Sequence, residues 1–181
     1  MCQILLQDPK FFQLLLQIDI DLAEQTRAGK CPCGGVLHRA DYPRKPRGCL
    51  SEARVDFASR FSFCCSQCRK RTTAMSVRFL GRRVYLSLAV VLLSARLAGP
   101  TATAARVCAT LAVPVRTLRR WRAWWTQLFP ATPLWQAACA RFMPPVATTA
   151  LPASLINRFT GSAAESMRRL LTFLTPLTVR Q

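Results

Sequence analysis

Hydrophobic positions near the start of the chain recur every three or four residues, which is the spacing of one face of an α-helix. Asp8 and Pro9 provide a capping side chain and the residue favoured at the first helical position. Gly29 is expected to end the helix. The pattern therefore predicts an N-terminal helix within residues 1–29 whose inward side chains are Phe11, Leu14, Leu15, Ile18 and Leu22.

Residues 30–83 have a different pattern, rich in Gly, Pro, Cys, Arg and aromatic side chains. Apolar and polar residues alternate only in short stretches such as 60–63, and this alternation is typical of β-strands. The segment therefore predicts a small β-rich unit that cannot bury much apolar surface.

Residues 84–129 return to a helical pattern, with breaks at Gly99–Pro100 and around 112–114. The apolar run 84–95 is much shorter than the ~20 residues that a membrane-spanning helix needs. This run therefore predicts a buried helix, and no membrane partner is expected.

From residue 130 to 181, prolines divide the chain and leave short predicted helices near 133–142 and 153–159. A last helix is predicted to begin at Ser162, because Ser162 and Glu165 match a capping box. An apolar stripe follows this start, formed by Met167, Leu170, Leu171 and Leu174.

The charge of the chain is strongly positive and unevenly distributed. Of 181 residues, 26 are Lys or Arg and 8 are Asp or Glu, so the net charge is +18, and after Asp56 the remaining acidic residue is Glu165. Only four of the basic residues are Lys, which is typical of GC-rich coding DNA, but that bias does not explain the loss of acidic residues. Such a surface favours a polyanionic partner. The acidic N-terminal helix is expected to pack on a basic neighbour or a second subunit, and a homodimer is compatible with that.

The cysteines favour metal binding over disulfides. The N-terminus lacks the positive region of a secretory signal, which predicts a cytoplasmic, reducing location, and there nine cysteines point to metal ligands and buried thiols. Two close pairs, about thirty residues apart, predict a tetrahedral zinc site in a ribbon, with the ligands Cys31, Cys33, Cys65 and Cys68. His38, Cys49 and Cys64 remain alternatives for one ligand, whereas Cys108 and Cys139 are predicted to be buried thiols.

A helix-turn-helix is predicted after the ribbon, with a turn at 112–113 and a second helix from Pro114. Its inward positions would be Val107, Cys108, Leu111, Val113, Leu118 and Trp121. The outward side chains of the second helix suit a major groove, where Arg can pair with guanine; they are Val115, Arg116, Arg119, Arg120 and Arg122. Trp124 and Trp125, with Trp121, are expected to pack against the C-terminal helices. The competing interpretation is a helical hairpin whose arginines are only solvated.

Two further basic segments are predicted to contact phosphates or enter a minor groove. The first basic segment, 44–47, is held extended by prolines and supplies Arg44, Lys45 and Arg47. The second basic segment, 69–71, follows the last predicted ligand and supplies Arg69, Lys70 and Arg71.

A four-cysteine ribbon whose second pair reads Cys-x-x-Cys-Arg, followed by an Ala-rich helix-turn-helix ending Leu-Arg-Arg-Trp, resembles the N-terminal DNA-binding unit of bacterial insertion-sequence transposases and their accessory or regulatory proteins. The resemblance covers roughly residues 30–125. It implies that Cys31, Cys33, Cys65 and Cys68 are the metal ligands and that the groove-reading residues are Arg116, Arg119 and Arg120. The first pair, Cys-x-Cys, departs from the usual Cys-x-x-Cys, and an acidic catalytic triad is lacking.

These features predict a mainly α protein with a small β zinc ribbon, in four segments: 1–29, 30–83, 84–129 and 130–181. The expected function is a zinc-dependent, non-catalytic DNA-binding accessory or regulatory protein of a mobile genetic element, nucleoid-associated, with a transposase or recombinase encoded nearby as a candidate partner. Two alternatives remain open: an RNA-binding ribonucleoprotein component, or a structural adaptor that binds a protein through its C-terminal helices. One His and no Ser/His/Asp set argue against an enzyme.

Overall fold

The N-terminal helix begins and ends where its capping residues predict. The computed structural model of the protein describes residues 2–49, 51–80, 85–96, 109–111 and 113–179. After a short helix α1 (Cys2–Leu5), α2 spans Pro9–Ala28. The Asp8 carboxylate accepts a hydrogen bond from the Lys10 N–H at 2.9 Å, and Gly29 follows the last turn. The caps therefore set both ends of α2.

The buried face of α2 differs from the predicted one. Its buried residues are Phe11, Phe12, Leu15, Asp19 and Ala23, whereas Leu14 is 41% exposed, so the prediction that Leu14 points inward was wrong. Ile18 and Leu22 are half-buried. The reason is that the carboxylate of Asp19 is buried, which a hydrophobic pattern cannot reveal. Because Asp19 faces the interior, the buried face of α2 is rotated about the helix axis toward Asp19 and away from Leu14.

Asp19 forms a fully buried ion pair with Arg78, with 2.6 Å between Arg78 Nε and Asp19 Oδ2. The other Asp19 oxygen accepts from the Val77 N–H at 2.6 Å, and the Ser76 hydroxyl also donates to this carboxylate. The remaining guanidinium nitrogens of Arg78 donate to the backbone carbonyls of Asp56 and Ser59. The prediction that the acidic helix packs on a basic neighbour is therefore confirmed.

Five short strands follow α2 and form the predicted β-rich unit. They are β1 (Leu37–Arg39), β2 (Tyr42–Pro43), β3 (Ser59–Arg60), β4 (Ser62–Cys65) and β5 (Arg71–Thr73). An antiparallel sheet has the order β1-β4-β5, and β2 pairs with β3. Leu37 lies opposite Cys65, and Cys64 lies opposite both His38 and Arg71. A 3₁₀ turn, Glu52–Arg54, lies between β2 and β3.

The next described helices are α3 (Ser87–Arg96) and α4 (Val115–Ala123). The apolar positions of α3 from Leu88 to Leu93 are at most 3% exposed, so the predicted buried helix is confirmed. Among the described residues, no helix combines the length and the apolar character needed to cross a membrane. A π-helical turn at Trp124–Leu128 continues α4.

The C-terminal region consists of short helices, as its prolines predict. These are α5 (Pro133–Ala138), α6 (Ala153–Ile156) and α7 (Ala163–Phe173), with 3₁₀ turns at Phe129–Ala131, Cys139–Arg141, Thr148–Ala150 and Thr175–Thr178. The Ser162 hydroxyl accepts from the Glu165 N–H at 3.2 Å, so the predicted start of α7 is confirmed. Its predicted stripe, Met167, Leu170, Leu171 and Leu174, is at most 2% exposed.

A series of aromatic contacts joins α4 to the C-terminal helices. Trp125 is fully buried and contacts Phe129 at 4.9 Å between ring centroids; Phe129 contacts Trp135 at 5.2 Å. The expectation that Trp124 and Trp125 pack there is confirmed. Trp121 is also buried, but its edge-to-face partner is Tyr85, at 5.0 Å.

Apolar side chains form two separate cores. The larger one extends from Leu5 to Leu174 and takes residues from all four segments of the chain. The smaller one lies between the end of α2 and the three-stranded sheet, and contains Ala23, Cys31, Leu37, Phe61, Phe63, Cys65 and Ala74. Because this second core is small and includes two cysteines, the cysteines are part of what holds the sheet to α2.

Candidate metal centre and basic surface

The first cysteine pair lies on a tight turn just before β1. The Gly34 N–H donates to the Cys31 carbonyl at 2.8 Å, and the Cys31 N–H donates to the Gly35 carbonyl at 3.1 Å. Gly34 has a φ of +85°, a conformation that favours glycine. Gly35 allows a close approach, since a Cβ at this position would lie 2.5 Å from the Cys65 sulfur. The two glycines thus bring the turn against the second pair.

The second cysteine pair lies on the connection between β4 and β5. The Cys65 N–H donates to the Lys70 carbonyl at 3.0 Å, and the Arg69 N–H donates to the Cys65 carbonyl at 3.2 Å. The Ser66 N–H donates a hydrogen bond to the Val36 carbonyl at 2.9 Å, and this bond connects the two turns. Both pairs are therefore fixed by backbone hydrogen bonds of the sheet.

The four predicted ligands converge on one point, and we call them the cysteine cluster. The sulfurs of Cys31, Cys33, Cys65 and Cys68 all lie within 4.8 Å of one another. Two of the sulfur–sulfur distances are 3.5 Å (Cys31–Cys68) and 3.4 Å (Cys33–Cys65). Four sulfurs bound tetrahedrally to zinc at about 2.3 Å would be about 3.8 Å apart. The cluster thus has the size of a four-thiolate metal site.

The electrostatics of the cluster also favour a cation. The Gly35 N–H donates to the Cys33 sulfur and, with the neighbouring thiols, lowers the pKa of Cys33 to about 6. For Cys31, a hydrogen bond from the Cys33 N–H lowers the pKa, but burial and the adjacent thiols outweigh it and raise the pKa to about 12. The negative charge of the Cys33 thiolate therefore disfavours ionisation of the neighbouring thiols. A divalent cation compensates this charge repulsion, so the cluster could hold a metal ion.

The alternative ligands lie elsewhere. His38 is exposed on β1, on the row opposite Cys64, and Cys64 points to the backbone carbonyl of Arg69 at 3.5 Å. Cys49 is buried in the larger core, where burial raises the pKa of its thiol. Cys139 was predicted to be buried but is only half-buried, because it packs at the edge of the larger core. Cys108, the other predicted buried thiol, lies outside the described residues.

The arginines predicted to read DNA lie on the outer side of α4. Arg116, Arg119 and Arg120 are exposed and Val115 is 56% exposed, while Arg122 is half-buried. Leu118 and Trp121 are buried on the opposite face, as are Leu111 and Val113 before the helix. Val107 and Cys108, the other predicted inward positions, lie outside the described residues, and so does most of the first helix of the predicted helix-turn-helix.

The first basic segment is attached to the fold at both ends. The Arg44 N–H donates to the Ala58 carbonyl at 2.7 Å, and the Arg47 carbonyl accepts from the Leu86 N–H at 3.0 Å. Gly48 packs so closely on α3 that a Cβ would lie 2.7 Å from that of Ala89. Arg44, Lys45 and Arg47 are therefore held on a fixed loop of the β-rich unit.

The two basic segments meet at one aromatic ring. The guanidinium carbons of Arg44 and Arg71 lie 4.9 Å and 5.7 Å from the centre of the Tyr42 ring. Arg71 also donates to the Ala40 carbonyl at 3.0 Å, which fixes its side chain along the sheet. Arg69 and Lys70 are exposed on the adjacent turn. The structure thus joins two segments, separate in the sequence, into one basic surface.

Sequence reasoning missed two contributors to this surface. Tyr42 was not predicted to contribute. The signal in the sequence is its position two residues from Arg44 on a strand, where the ring and the guanidinium can meet. Arg54 was also missed, because it lies outside both basic segments; the structure places it beside Lys45, Pro46 and Arg47. No protein-family model matches the chain, and no curated protein or solved structure matches it either.

Proposed function

We propose that the protein is a zinc-dependent DNA-binding accessory or regulatory protein of a mobile genetic element, and that it acts by positioning DNA rather than by catalysis. The observation that carries the proposal is the cysteine cluster beside a basic surface with few acidic residues to neutralise it. The cluster stabilises the small second core, and the basic surface beside it favours a polyanionic partner.

Zinc is the metal that the ligand chemistry favours. Four soft sulfur donors with tetrahedral spacing suit Zn²⁺, and a site with four protein ligands leaves no open position for a substrate. Two sulfurs are buried and two lie nearer to solvent. A structural role follows, because the second core that contains the cluster is too small to stabilise the sheet by hydrophobic burial alone.

Duplex DNA is the partner that α4 favours. An exposed helix with arginines on its outer side can enter a major groove, and Arg can donate two hydrogen bonds to guanine O6 and N7. The side chains of Arg116 and Arg119 have no hydrogen-bond or ion-pair partner among the described residues, and the Arg120 side chain donates to Thr117 Oγ1 at 3.4 Å. The basic surface around Tyr42 would contact phosphates without regard to sequence.

The mobile-element role rests on the resemblance of the ribbon and the arginine-rich helix to transposase DNA-binding units. The non-catalytic role rests on the carboxylates: Glu165, the one acidic side chain after Asp56, is exposed and pairs with Arg169 at 3.3 Å. Two-metal nuclease chemistry needs several carboxylates around one site. The protein would therefore bind element ends, regulate their expression or guide a nuclease partner, as a cytoplasmic, nucleoid-associated component.

The test is competition between duplex DNA and structured RNA for the zinc-loaded protein at several salt concentrations. Selection from a random duplex library first supplies a preferred site. Arg119→Ala should then weaken binding to that site by roughly 1–3 kcal/mol and to random DNA far less. Arg141→Ala is the matched control, because Arg141 is an exposed arginine on the Cys139–Arg141 turn.

Tighter binding to RNA at every salt concentration would reject the proposal in favour of a ribonucleoprotein role. Binding to neither nucleic acid, with both variants unchanged, would instead favour an adaptor that binds a protein partner.

A further inference from the structure

Three basic side chains line one pocket on the surface of the β-rich unit. The pocket is formed by Lys45, Pro46 and Arg47 of the first basic segment and by Arg54 of the 3₁₀ turn, and we call it the basic pocket. The loop 44–47 forms one wall and the turn before β3 forms the other. Residues that are separate in the sequence therefore surround one space.

None of the three basic side chains of the basic pocket forms an ion pair with a described residue. The ion pairs found among the described residues involve other arginines, namely Arg27, Arg39, Arg78 and Arg169. The side chain of Arg54 also interacts with the thiol of Cys49, whose pKa is raised by burial, so this interaction adds no negative charge beside Arg54. Three like charges around one space repel one another, and an anion in the pocket would remove this repulsion.

We propose that the basic pocket binds a single phosphate group, which in the proposed function is one backbone phosphate of the bound duplex. This inference rests on the proposed function for the identity of the partner, and on the pocket alone for its chemistry. One anion shared by three cations differs from the simpler expectation that each basic residue of the segment contacts its own phosphate.

Backbone and ring contacts connect the pocket to the helix that is proposed to read bases. The backbone of Arg47 pairs with Tyr85 in an isolated β-bridge, and the Tyr85 ring packs edge-to-face on Trp121 of α4 at 5.0 Å. Trp121 is 1% exposed, on the face of α4 opposite its exposed arginines. A phosphate in the pocket would therefore lie at a fixed position relative to the bases in contact with α4.

The first experiment measures the salt dependence of duplex binding. Each phosphate that the protein neutralises adds about 0.9 to the magnitude of the slope of log K against log salt concentration. The triple variant Lys45→Gln/Arg47→Gln/Arg54→Gln should therefore reduce the magnitude of this slope by about 0.9, because all three side chains share one phosphate. A reduction of about 2.7 would mean three independent phosphate contacts and would overturn the inference.

The second experiment maps the phosphate directly by ethylation interference on the preferred site. With the wild-type protein, one ethylated phosphate at a constant distance from the bases that contact α4 should block binding. With Arg54→Gln that one interference should disappear while the others remain, and Arg141→Gln should leave the whole pattern unchanged. An unchanged pattern with Arg54→Gln would also overturn the inference.

The third experiment separates the pocket from the proposed function. Inorganic phosphate should raise the melting temperature of the zinc-loaded wild-type protein, and should raise that of Arg54→Gln or Lys45→Gln much less. If the protein binds no duplex yet shows this difference, the proposed function fails and the anion site stands. If duplex binding is intact but inorganic phosphate has the same effect on all three proteins, the anion site fails and the proposed function stands.

Discussion

Replacing Asp19 with alanine should strongly destabilise the protein, because it leaves the Arg78 guanidinium buried without its counter-charge. Both side chains are fully buried, and the ion pair distance is 2.6 Å. The substitution also removes the acceptor for the Val77 N–H and for the Ser76 hydroxyl. Arg78 keeps its hydrogen bonds to the carbonyls of Asp56 and Ser59, so Nε is the guanidinium nitrogen that loses its acceptor.

Removing one partner of a buried ion pair typically costs about 3–5 kcal/mol. For a chain of 150–250 residues, each kcal/mol lowers the melting temperature by about 2–4 °C, so Asp19→Ala should lower it by about 6–20 °C. The assay is thermal and urea unfolding of the zinc-loaded protein, followed by circular dichroism. Zinc content should remain unchanged, because the ion pair lies outside the core that contains the cysteine cluster.

Asp21→Ala is the matched control on the same helix. Asp21 is exposed and accepts a hydrogen bond from Gln17 at 3.0 Å, so its loss should change the free energy of unfolding by less than about 0.5 kcal/mol. The double variant Asp19→Leu/Arg78→Met should recover much of the lost stability, since an apolar pair removes the unpaired charge. If Asp19→Ala unfolded within 1 kcal/mol of wild type, water or another group would have to compensate Arg78, and the reasoning would be refuted.

Four further variants probe the metal site and the C-terminal helix. Cys68→Ser should abolish stoichiometric zinc in elemental analysis, whereas Cys64→Ser should keep one zinc per chain; equal zinc in both variants would reject the ligand assignment. Gly35→Ala should weaken zinc binding in a chelator competition, because the added methyl group would lie 2.5 Å from the Cys65 sulfur; unchanged affinity would mean that the turn relaxes freely. Ser162→Ala should cost about 0.5–2 kcal/mol in urea unfolding through the lost cap of α7, and a smaller effect would show that water replaces it.

The sequence was most informative where local chemistry decides the structure. Asp8 and Ser162 cap the helices that they were expected to cap, and the two cysteine pairs converge as their spacing indicates. In each case a few neighbouring residues determine the geometry, so no knowledge of the rest of the fold is needed.

The sequence was least informative where distant polar groups pair inside the protein. Asp19 is not among the side chains that the apolar pattern of α2 assigns to the interior, and its partner Arg78 is 59 residues away. The contact between Arg44, Arg71 and Tyr42 likewise depends on how β2 and β5 are placed by the sheets. Such pairings follow from tertiary contacts, which a periodic pattern along the chain does not encode.

The side chain of Arg60 has a consequence for the order in which the chain can fold during synthesis. It is 1% exposed, and one of its terminal nitrogens donates to the carbonyls of Ala74 and Thr178, the latter 118 residues further along the chain. At about 5–20 residues per second, a ribosome adds those residues in roughly 6–24 seconds. All four cysteines of the cluster precede residue 69, so they could hold a metal ion while Arg60 still lacks its distant acceptor. The cysteine cluster and its sheet would then be the early folding unit, and the burial of Arg60 would mark the late step at which the 3₁₀ turn Thr175–Thr178 docks on it.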